Sequence, residues 1–199
     1  MKQLVLASGN PGKLRELSAI LDDLGYKLSA QSEFNVSDVA ETGTTFVENA
    51  IIKARHATIE TGLPALADDS GIEVDALNGA PGVYSARFAG TQCDDEANNV
   101  LLVEKLTSVP DTQRSARYRA VIVLMRHAAD PSPLICEGSW EGVIQLHPSG
   151  KGGFGYDPYF YLPEKGCTSA ELSAAEKNRL SHRGQALTEL KQKLASIRV

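Results

Sequence analysis

The sequence predicts an α/β fold built around an elongated mixed β-sheet flanked by helices. Residues 2–7 form an apolar run that is followed by small turn residues and then by leucines at helical spacing, a strand–loop–helix order. Residues 115–127 and 134–147 are two long extended segments separated by the turn-rich stretch 130–133, which indicates an antiparallel pair. Strand–helix and hairpin connections together imply a mixed sheet. The 199 residues, 42% of them hydrophobic, suffice for a single domain over 1–199 with two lobes around a central cleft.

Two helices are predicted in the first half of the chain. The first covers about residues 13–24, and its apolar face consists of Leu14, Leu17, Leu21 and Leu24. Thr44 or Thr45 can cap the second helix. This helix is expected to end at Thr61, because Gly62 and Pro64 follow.

The remaining elements alternate between strands and helices. Strands at 64–68 and 72–77 flank the polar corner 68–71, which is predicted to be a turn, and a helix is expected over 94–106. Ser173 and Glu176 fit a capping box. A helical stripe follows, formed by Leu180, Leu187, Leu190, Leu194 and Ile197.

Cysteine content and charge favour a cytoplasmic protein that acts on small molecules. Cys93, Cys136 and Cys167 lie far apart without zinc-binding spacing, which favours a reducing compartment. A net charge of −5 disfavours the broad basic surface that polymeric nucleic acid requires. The N-terminal run lacks the features of a signal peptide, and the longest apolar stretch, near 120–125, is far short of the roughly 20 residues that cross a bilayer.

The loop at residues 8–13 joins a strand to a helix, where backbone N–H groups and a helix N-terminus can receive a phosphate. It consists of Ser8, Gly9, Asn10, Pro11, Gly12 and Lys13. Lys13 adds a mobile positive charge. The loop is too short for the longer glycine-rich phosphate loop, and an ordinary strand–helix turn explains it equally well.

Acidic residues supply the second candidate site. Asp68 and Asp69 could hold Mg²⁺ and orient or deprotonate a water, and Asp69, at the expected corner, is the better candidate. Glu41 could share the metal, while Lys53 on the second helix could reach phosphate oxygens. A solvated turn and a solvated lysine are the alternative readings.

Aromatic and basic residues late in the chain could recognise a flat base. Phe154 could stack on a purine, and Asp157 could accept a hydrogen bond from it, although an aromatic-anchored loop is the alternative. His182 and Arg183 could donate to purine carbonyl oxygens, and Lys177 could join them. A surface His-Arg pair is the alternative there. Arg87, His56 and His127 are expected to be structural or solvated.

Taken in order, these motifs closely resemble the inosine/xanthosine triphosphate pyrophosphatase family, in particular its bacterial RdgB/HAM1-type members. The resemblance spans nearly the whole chain and shows no departure at a motif position, whereas residues 91–146 add nothing to it. The motifs are 8–10 with Lys13, 41–43 with 48–50, 68–71, 82–87, 154–157 and 181–183.

The resemblance implies a homodimer with an ITPase-like fold that hydrolyses dITP, ITP and XTP to monophosphate and pyrophosphate with Mg²⁺, for which Mn²⁺ could substitute. Carried over to matching positions, residues 8–13 hold the triphosphate, Asp69 is the general base and a metal ligand, and Glu41 is a second metal ligand. Ser70 also contacts substrate. The residues that read the base are Phe154, Gly155, Tyr156, Asp157, Lys177, His182 and Arg183.

Three other functions fit parts of the pattern. A related enzyme could act on modified pyrimidine or methylated nucleotides, and a sensing module could bind nucleotides without hydrolysing them. The two adjacent carboxylates argue against the sensor, because they repel a triphosphate unless a metal intervenes. An RNA-binding domain would need a basic aromatic surface, which the composition does not supply.

Overall fold

The computed structural model describes residues 2–90 and 94–196, apart from the side chains of Pro11 and Glu16. The strands in this part of the chain are β1 (Lys2–Leu6), β2 (Tyr26–Ala30), β3 (Ala65–Val74), β4 (Ser115–Met125), β5 (Leu134–Ile144), β6 (Phe160–Leu162) and β7 (Cys167–Thr168). The α-helices are α1 (Pro11–Asp22), α2 (Phe46–Thr61), α3 (Asp95–Leu106), α4 (Ala174–Leu180) and α5 (His182–Ser196).

The strands form one mixed sheet in the order β2-β1-β3-β4-β5-β6-β7. Strand β1 pairs in parallel with β2 and β3. Strand β6 pairs antiparallel with β5 and with β7. This arrangement, with five helices in the described residues, confirms the predicted mixed-sheet α/β class.

The chain divides into two compact units. The first unit comprises Met1–Asp69, Ala120–Glu137 and Gln185–Val199, and the second comprises Ser70–Arg119 and Gly138–Gly184. Strands β3, β4 and β5 therefore contribute residues to both units. The single domain over residues 1–199 and its central cleft stay predictions.

Each unit has its own apolar core. In the first unit, Leu17 and Leu21 of α1 pack with residues of β1 and β2, and Leu187 and Leu190 of α5 complete the same cluster. In the second unit, residues of α3 and β3 pack around four aromatic side chains, which are Tyr118, Trp140, Tyr156 and Phe160.

Capping residues in the sequence predicted most of these helix ends correctly. Thr45 is the N-cap of α2 and its hydroxyl accepts from the backbone N–H of Glu48, and Gly62 is the C-cap in a left-handed conformation. Asp94 caps α3. Helix α1 begins two residues earlier than predicted, because Asn10 caps it and Pro11 favours the first helical position.

The predicted turn at residues 68–71 is wrong, since β3 runs through it without interruption from Ala65 to Val74. Asp68 and Asp69 are buried within this strand. Each forms an ion pair with a lysine from a different helix, Lys13 for Asp68 and Lys53 for Asp69. Strand β3 lies between β1 and β4 in the sheet, and this pairing overrides the local turn preference of Asp, Ser and Gly.

The sequence also left three strands unassigned and did not divide the C-terminal helical region. Strands β2, β6 and β7 are short. Ser173 caps α4 as predicted, but α4 ends at Leu180 and α5 starts at His182. Ile197, the last residue of the predicted stripe, and Cys93 lie outside the described residues. No described helix has both the length and the apolarity of a bilayer-spanning segment.

Candidate active site

The loop from Ser8 to Lys13 lies between β1 and α1, as predicted, and its helix end is already capped. The Asn10 Oδ1 atom accepts from the backbone N–H of Gly12 at 2.8 Å and of Lys13 at 3.2 Å. The Asn10 N–H donates to Ser8 Oγ at 3.2 Å. Gly9 and Asn10 are exposed, so the loop is open to solvent. A phosphate bound to these N–H groups would therefore have to replace the Asn10 side chain.

Lys13 is paired with the first acid of β3. Its Nζ atom lies 2.7 Å from Asp68 Oδ2, and the Asp68 side chain is only 5% exposed. A buried carboxylate needs a cation nearby, since isolated charge is costly away from water. Lys13 thus neutralises Asp68 in the described structure.

A second lysine joins the two predicted metal ligands. Lys53 Nζ lies 2.8 Å from Glu41 Oε1 and 3.3 Å from Asp69 Oδ1. All three side chains belong to the first unit and are largely buried. The structure therefore brings Glu41, Lys53 and Asp69 together, with the ammonium group between the two carboxylates.

The loop that carries Glu41 is held against α2 by Gly43 and Asn49. The Gly43 N–H donates to Asn49 Oδ1 at 2.8 Å, and Asn49 is fully buried. A Cβ atom at position 43 would lie 2.6 Å from the Glu48 Cβ atom. Only glycine permits this approach, which explains the glycine of the Glu-Thr-Gly motif before the helix.

Burial and the neighbouring charges shift the pKa values of the central pair. Burial raises the pKa of Asp69 above the ordinary aspartate value; Lys53 lowers it, Glu41 raises it and the nearby Asn49 amide lowers it, and the net direction is upward. Burial lowers the pKa of Lys53, but the surrounding carboxylates outweigh this effect and raise it. Asp69 is accordingly a stronger base than a solvated aspartate.

The carboxylates of this site fit a hard divalent cation. Oδ2 of Asp69 is buried and accepts no well-formed hydrogen bond from the described residues. Within residues 2–90 and 94–196, no group of three or more His, Cys, Asp and Glu side chains is arranged to hold a metal. Mg²⁺ does not require such a group, because it commonly uses one or two carboxylates together with substrate phosphates and waters.

The second unit contains a different carboxylate centre at Asp157, which is 2% exposed. Its Oδ2 atom accepts from the Phe154 N–H at 2.8 Å and from Lys177 Nζ. Its Oδ1 atom accepts from Ser169 Oγ at 2.8 Å and, at 3.5 Å, from the Tyr118 hydroxyl. Both oxygens of Asp157 are thus engaged by protein donors.

Gly153 permits this tight turn. Its φ angle is 76°, and a Cβ atom there would lie 2.0 Å from Asp157 Oδ2. A side chain at this position would collide with the carboxylate and strain the backbone. Gly153 therefore serves the packing of Asp157.

The two aromatic residues of the turn have different environments. Phe154 is 68% exposed, and Lys177 Nζ lies 5.0 Å from its ring centroid. Tyr156 is 4% exposed, and its hydroxyl donates to the Ser85 carbonyl at 2.7 Å. Phe154 is available to stack on a ligand, whereas Tyr156 anchors the turn.

The basic pair lies at the start of α5, where His182 and Arg183 are half-buried. The His182 ring stacks on Tyr118 with centroids 4.8 Å apart and an interplanar angle of 10°. Tyr118 therefore contacts both Asp157 and His182. Ser70 follows Asp69 in β3 and is half-buried.

Several residues that form these contacts were not predicted from the sequence. Tyr118, Asp95 and Asn99 fall in the stretch 91–146, to which no role was given, and Ser169 follows the glycine-rich loop. Their partners lie far along the chain: Asn99 bonds to Gly155 and Tyr118 to Asp157. The alternation of polar and apolar residues over 115–120 is the local signal that indicates an inward-facing Tyr118.

The chain is similar to known proteins over nearly its full length. A sequence profile described as the Ham1 family matches residues 4–193. A protein of Xanthomonas campestris named dITP/XTP pyrophosphatase is 62% identical over 197 residues, covering 99% of both chains. One of the same name from Vibrio cholerae is 60% identical, covering 96% of this chain and 95% of its own.

A solved structure is also similar to this chain over nearly its full length. The structure of a HAM1 protein from Coxiella burnetii superposes with a TM-score of 0.96 at 54% sequence identity, covering 99% of this chain and 100% of that chain. Sequence and fold thus agree over nearly the full length. The chain belongs to the Ham1 family.

Proposed function

We propose that this chain is a hydrolase that converts dITP, ITP and XTP to the nucleoside monophosphate and pyrophosphate, and so keeps these nucleotides out of DNA and RNA. The observation that carries the proposal is the 62% identity, over 99% of both chains, with a protein named dITP/XTP pyrophosphatase. The charge arrangement around Asp69 supports it, since this arrangement suits a triphosphate and a divalent cation.

The lysines are the groups that meet the triphosphate. In the described structure Lys13 neutralises Asp68, and Lys53 neutralises Asp69 and Glu41. Phosphate oxygens compete for both ammonium groups, and a phosphate at the helix end replaces the Asn10 cap. Substrate binding therefore exchanges internal ion pairs for ion pairs with the ligand, and the buried carboxylates that lose a lysine need a replacement cation.

Asp69 and Glu41 would hold a Mg²⁺ ion. When bound, Mg²⁺ neutralises charge on the phosphates and lowers the pKa of water, and Mn²⁺ could supply the same chemistry. The buried Oδ2 atom of Asp69 supports this assignment.

Asp69 acts as the general base. It orients a water for in-line attack on the α-phosphorus, accepts the proton of that water, and the bond from the α-phosphorus to the bridging oxygen breaks as pyrophosphate leaves. Lys53 keeps the carboxylate ionised until substrate arrives.

The purine base is selected by hydrogen-bond donors and by one aromatic ring that stacks on it. Phe154 stacks on the purine, and His182 and Arg183 donate to the oxygen at its position 6. Adenine presents an amino group there, which leaves donors facing donors. Because Asp157 is engaged by four protein donors, its contribution is to hold Lys177 and the Phe154 N–H in place.

The test is incubation with dITP, with and without Mg²⁺, followed by separation of the phosphate products. We expect monophosphate and pyrophosphate only when the metal is present, with little loss of ATP or GTP. Diphosphate and orthophosphate as products would show that the bond between the β- and γ-phosphates is cleaved instead. Metal-independent binding without turnover would identify a nucleotide sensor, and turnover of modified pyrimidine nucleotides instead would identify the related enzyme.

The protein is further proposed to act as a homodimer in the cytoplasm. The family resemblance implies the dimer, and two cysteines without disulfides, Cys136 and Cys167, are compatible with a reducing compartment. Light scattering coupled to size exclusion measures the assembly directly. A mass near 21.3 kDa would contradict the dimer.

A further inference from the structure

The turn that carries Phe154 is held by a helix to which no role has been assigned. The Gly155 N–H donates to Asp95 Oδ2 at 2.7 Å. The Gly155 carbonyl accepts from Asn99 Nδ2 at 2.9 Å. Side chains from α3 thus bind both backbone polar groups of the residue that follows Phe154.

The geometry of α3 suits this task. Asp95 and Asn99 are four residues apart, so they lie one turn apart on the same face of the helix. Asp94 provides the N-cap, so capping does not require Asp95. Further along the helix, Leu102 and Leu106 are fully buried in the core of the second unit. The support for Gly155 is therefore a well-anchored helix.

Phe154 depends on its backbone for orientation. Its ring is 68% exposed, and the Lys177 ammonium lies 5.0 Å from the ring centroid. The Phe154 N–H is fixed by Asp157, and Tyr156 is anchored at Ser85. Gly155 lies between these two anchors, and its bonds to Asp95 and Asn99 fix the peptide groups on both sides of it.

We propose that Asp95 and Asn99 are positioning residues that hold Gly155 and thereby set the orientation in which Phe154 meets the nucleobase. The inference rests on the proposed function in one respect, the stacking of Phe154 on the base. Neither residue touches the nucleotide or the reacting atoms. Their loss weakens nucleotide binding, while the chemistry at Asp69 continues.

An acid in the first turn of a helix also interacts favourably with the helix dipole, and this effect must be separated from positioning. Glu96 provides the matched control. It is the next residue in the same first turn and is also exposed, and among the described residues it forms no hydrogen bond or ion pair with residues 153–157. Glu96→Ala therefore removes a comparable dipole interaction without releasing Gly155.

The first experiment measures amide hydrogen exchange of residues 153–157 by NMR, without nucleotide. We expect the Gly155 amide to exchange about five-fold faster or more in Asp95→Ala, because its hydrogen-bond acceptor is gone, and to be unchanged in Glu96→Ala. Unchanged exchange in Asp95→Ala would overturn the proposal. This readout requires no catalytic activity.

The second experiment measures steady-state kinetics with dITP. Asp95→Ala and Asn99→Ala should each raise KM by about five-fold, with kcat within about two-fold of the wild type. Asp95→Asn, which retains an acceptor oxygen, should restore KM, a result that a general loss of stability does not produce.

A double-mutant cycle with Phe154→Ala completes the test. If Asp95 acts through Phe154, then Asp95→Ala causes no further rise in KM once the ring is removed. Equal effects of Asp95→Ala with and without Phe154 would overturn the proposal. A wild-type protein that turns over no nucleotide, yet shows the expected exchange result, would instead contradict the proposed function and the stacking role while leaving the hold on Gly155 established.

Discussion

Asp69 and Asp157 are both buried carboxylates paired with a lysine, yet their surroundings differ in one decisive respect. Asp157 accepts hydrogen bonds at both oxygens, from Phe154, Lys177, Ser169 and Tyr118. The Asp69 Oδ1 atom contacts Lys53, and Oδ2 accepts no well-formed bond from the described residues. A fully satisfied carboxylate holds structure in place, whereas one with a spare oxygen can take a new partner.

This difference predicts opposite consequences for the same kind of substitution. The largest effect is expected from Asp69→Asn, which should lower kcat by about 10³-fold, because the general base is lost. Nucleotide binding and the free energy of unfolding should change little, since Lys53 retains Glu41 as a partner. Product formation, equilibrium binding of dITP and urea unfolding measure the three quantities. Joint loss of binding and fold would make Asp69 structural.

Asp157→Ala should instead destabilise the fold. Removing one partner of a buried ion pair costs about 3–5 kcal/mol, because the Lys177 ammonium and the Ser169 hydroxyl lose their acceptor. Urea unfolding followed through Trp140 fluorescence measures this loss. Asp69→Asn is the control in the same assay. Equal stability of the two variants would remove the distinction between the two centres.

The choice between nucleobases should change when Arg183 is replaced. Arg183→Ala is expected to narrow the preference for dITP over dATP by about ten-fold, because a donor to the purine oxygen is lost while stacking on Phe154 remains. The ratio of kcat/KM values for the two nucleotides is the measurement. An unchanged ratio would refute the role of Arg183 in base selection.

The smallest expected change concerns ionisation of Asp69. Its pKa is raised above the ordinary value of 3.8 mainly by burial, and the Lys53 ammonium opposes that rise. Lys53→Met removes the opposing charge, so the pKa of Asp69 should rise further. Carboxyl ¹³C NMR titration of the metal-free protein measures it in both variants. A fall in the pKa of Asp69 would show that Lys53 does not stabilise its ionised form.

Prediction from sequence succeeded where the signal was local. The cap at Thr45, the end of α2 at Gly62 and the cap at Ser173 depend on neighbouring residues alone. The residues singled out at 41, 53 and 69 also lie together in the structure, while their roles stay predictions.

Prediction failed where distant residues decide the outcome. The acids at 68 and 69 resemble a turn in a local window, but they lie in a strand that pairs with β1 and β4, and their lysine partners come from positions 13 and 53. The hydrogen bond from Asn99 to Gly155 joins residues far apart in the sequence, so no local pattern indicates it. The donors that occupy both oxygens of Asp157 likewise include distant residues, Tyr118 and Ser169, so a local pattern does not predict them.

The continuous course of β3 has a consequence for insertions and deletions. Side chains alternate between the two faces of a strand, so a one-residue insertion near Ala65 would move Asp68 into the position of Asp69, opposite Lys53, and leave Ala67 opposite Lys13. A one-residue deletion would place Ser70 opposite Lys53 and remove the base altogether. Length changes in this strand are therefore asymmetric in their effect: a carboxylate remains beside Lys53 after an insertion and is lost after a deletion.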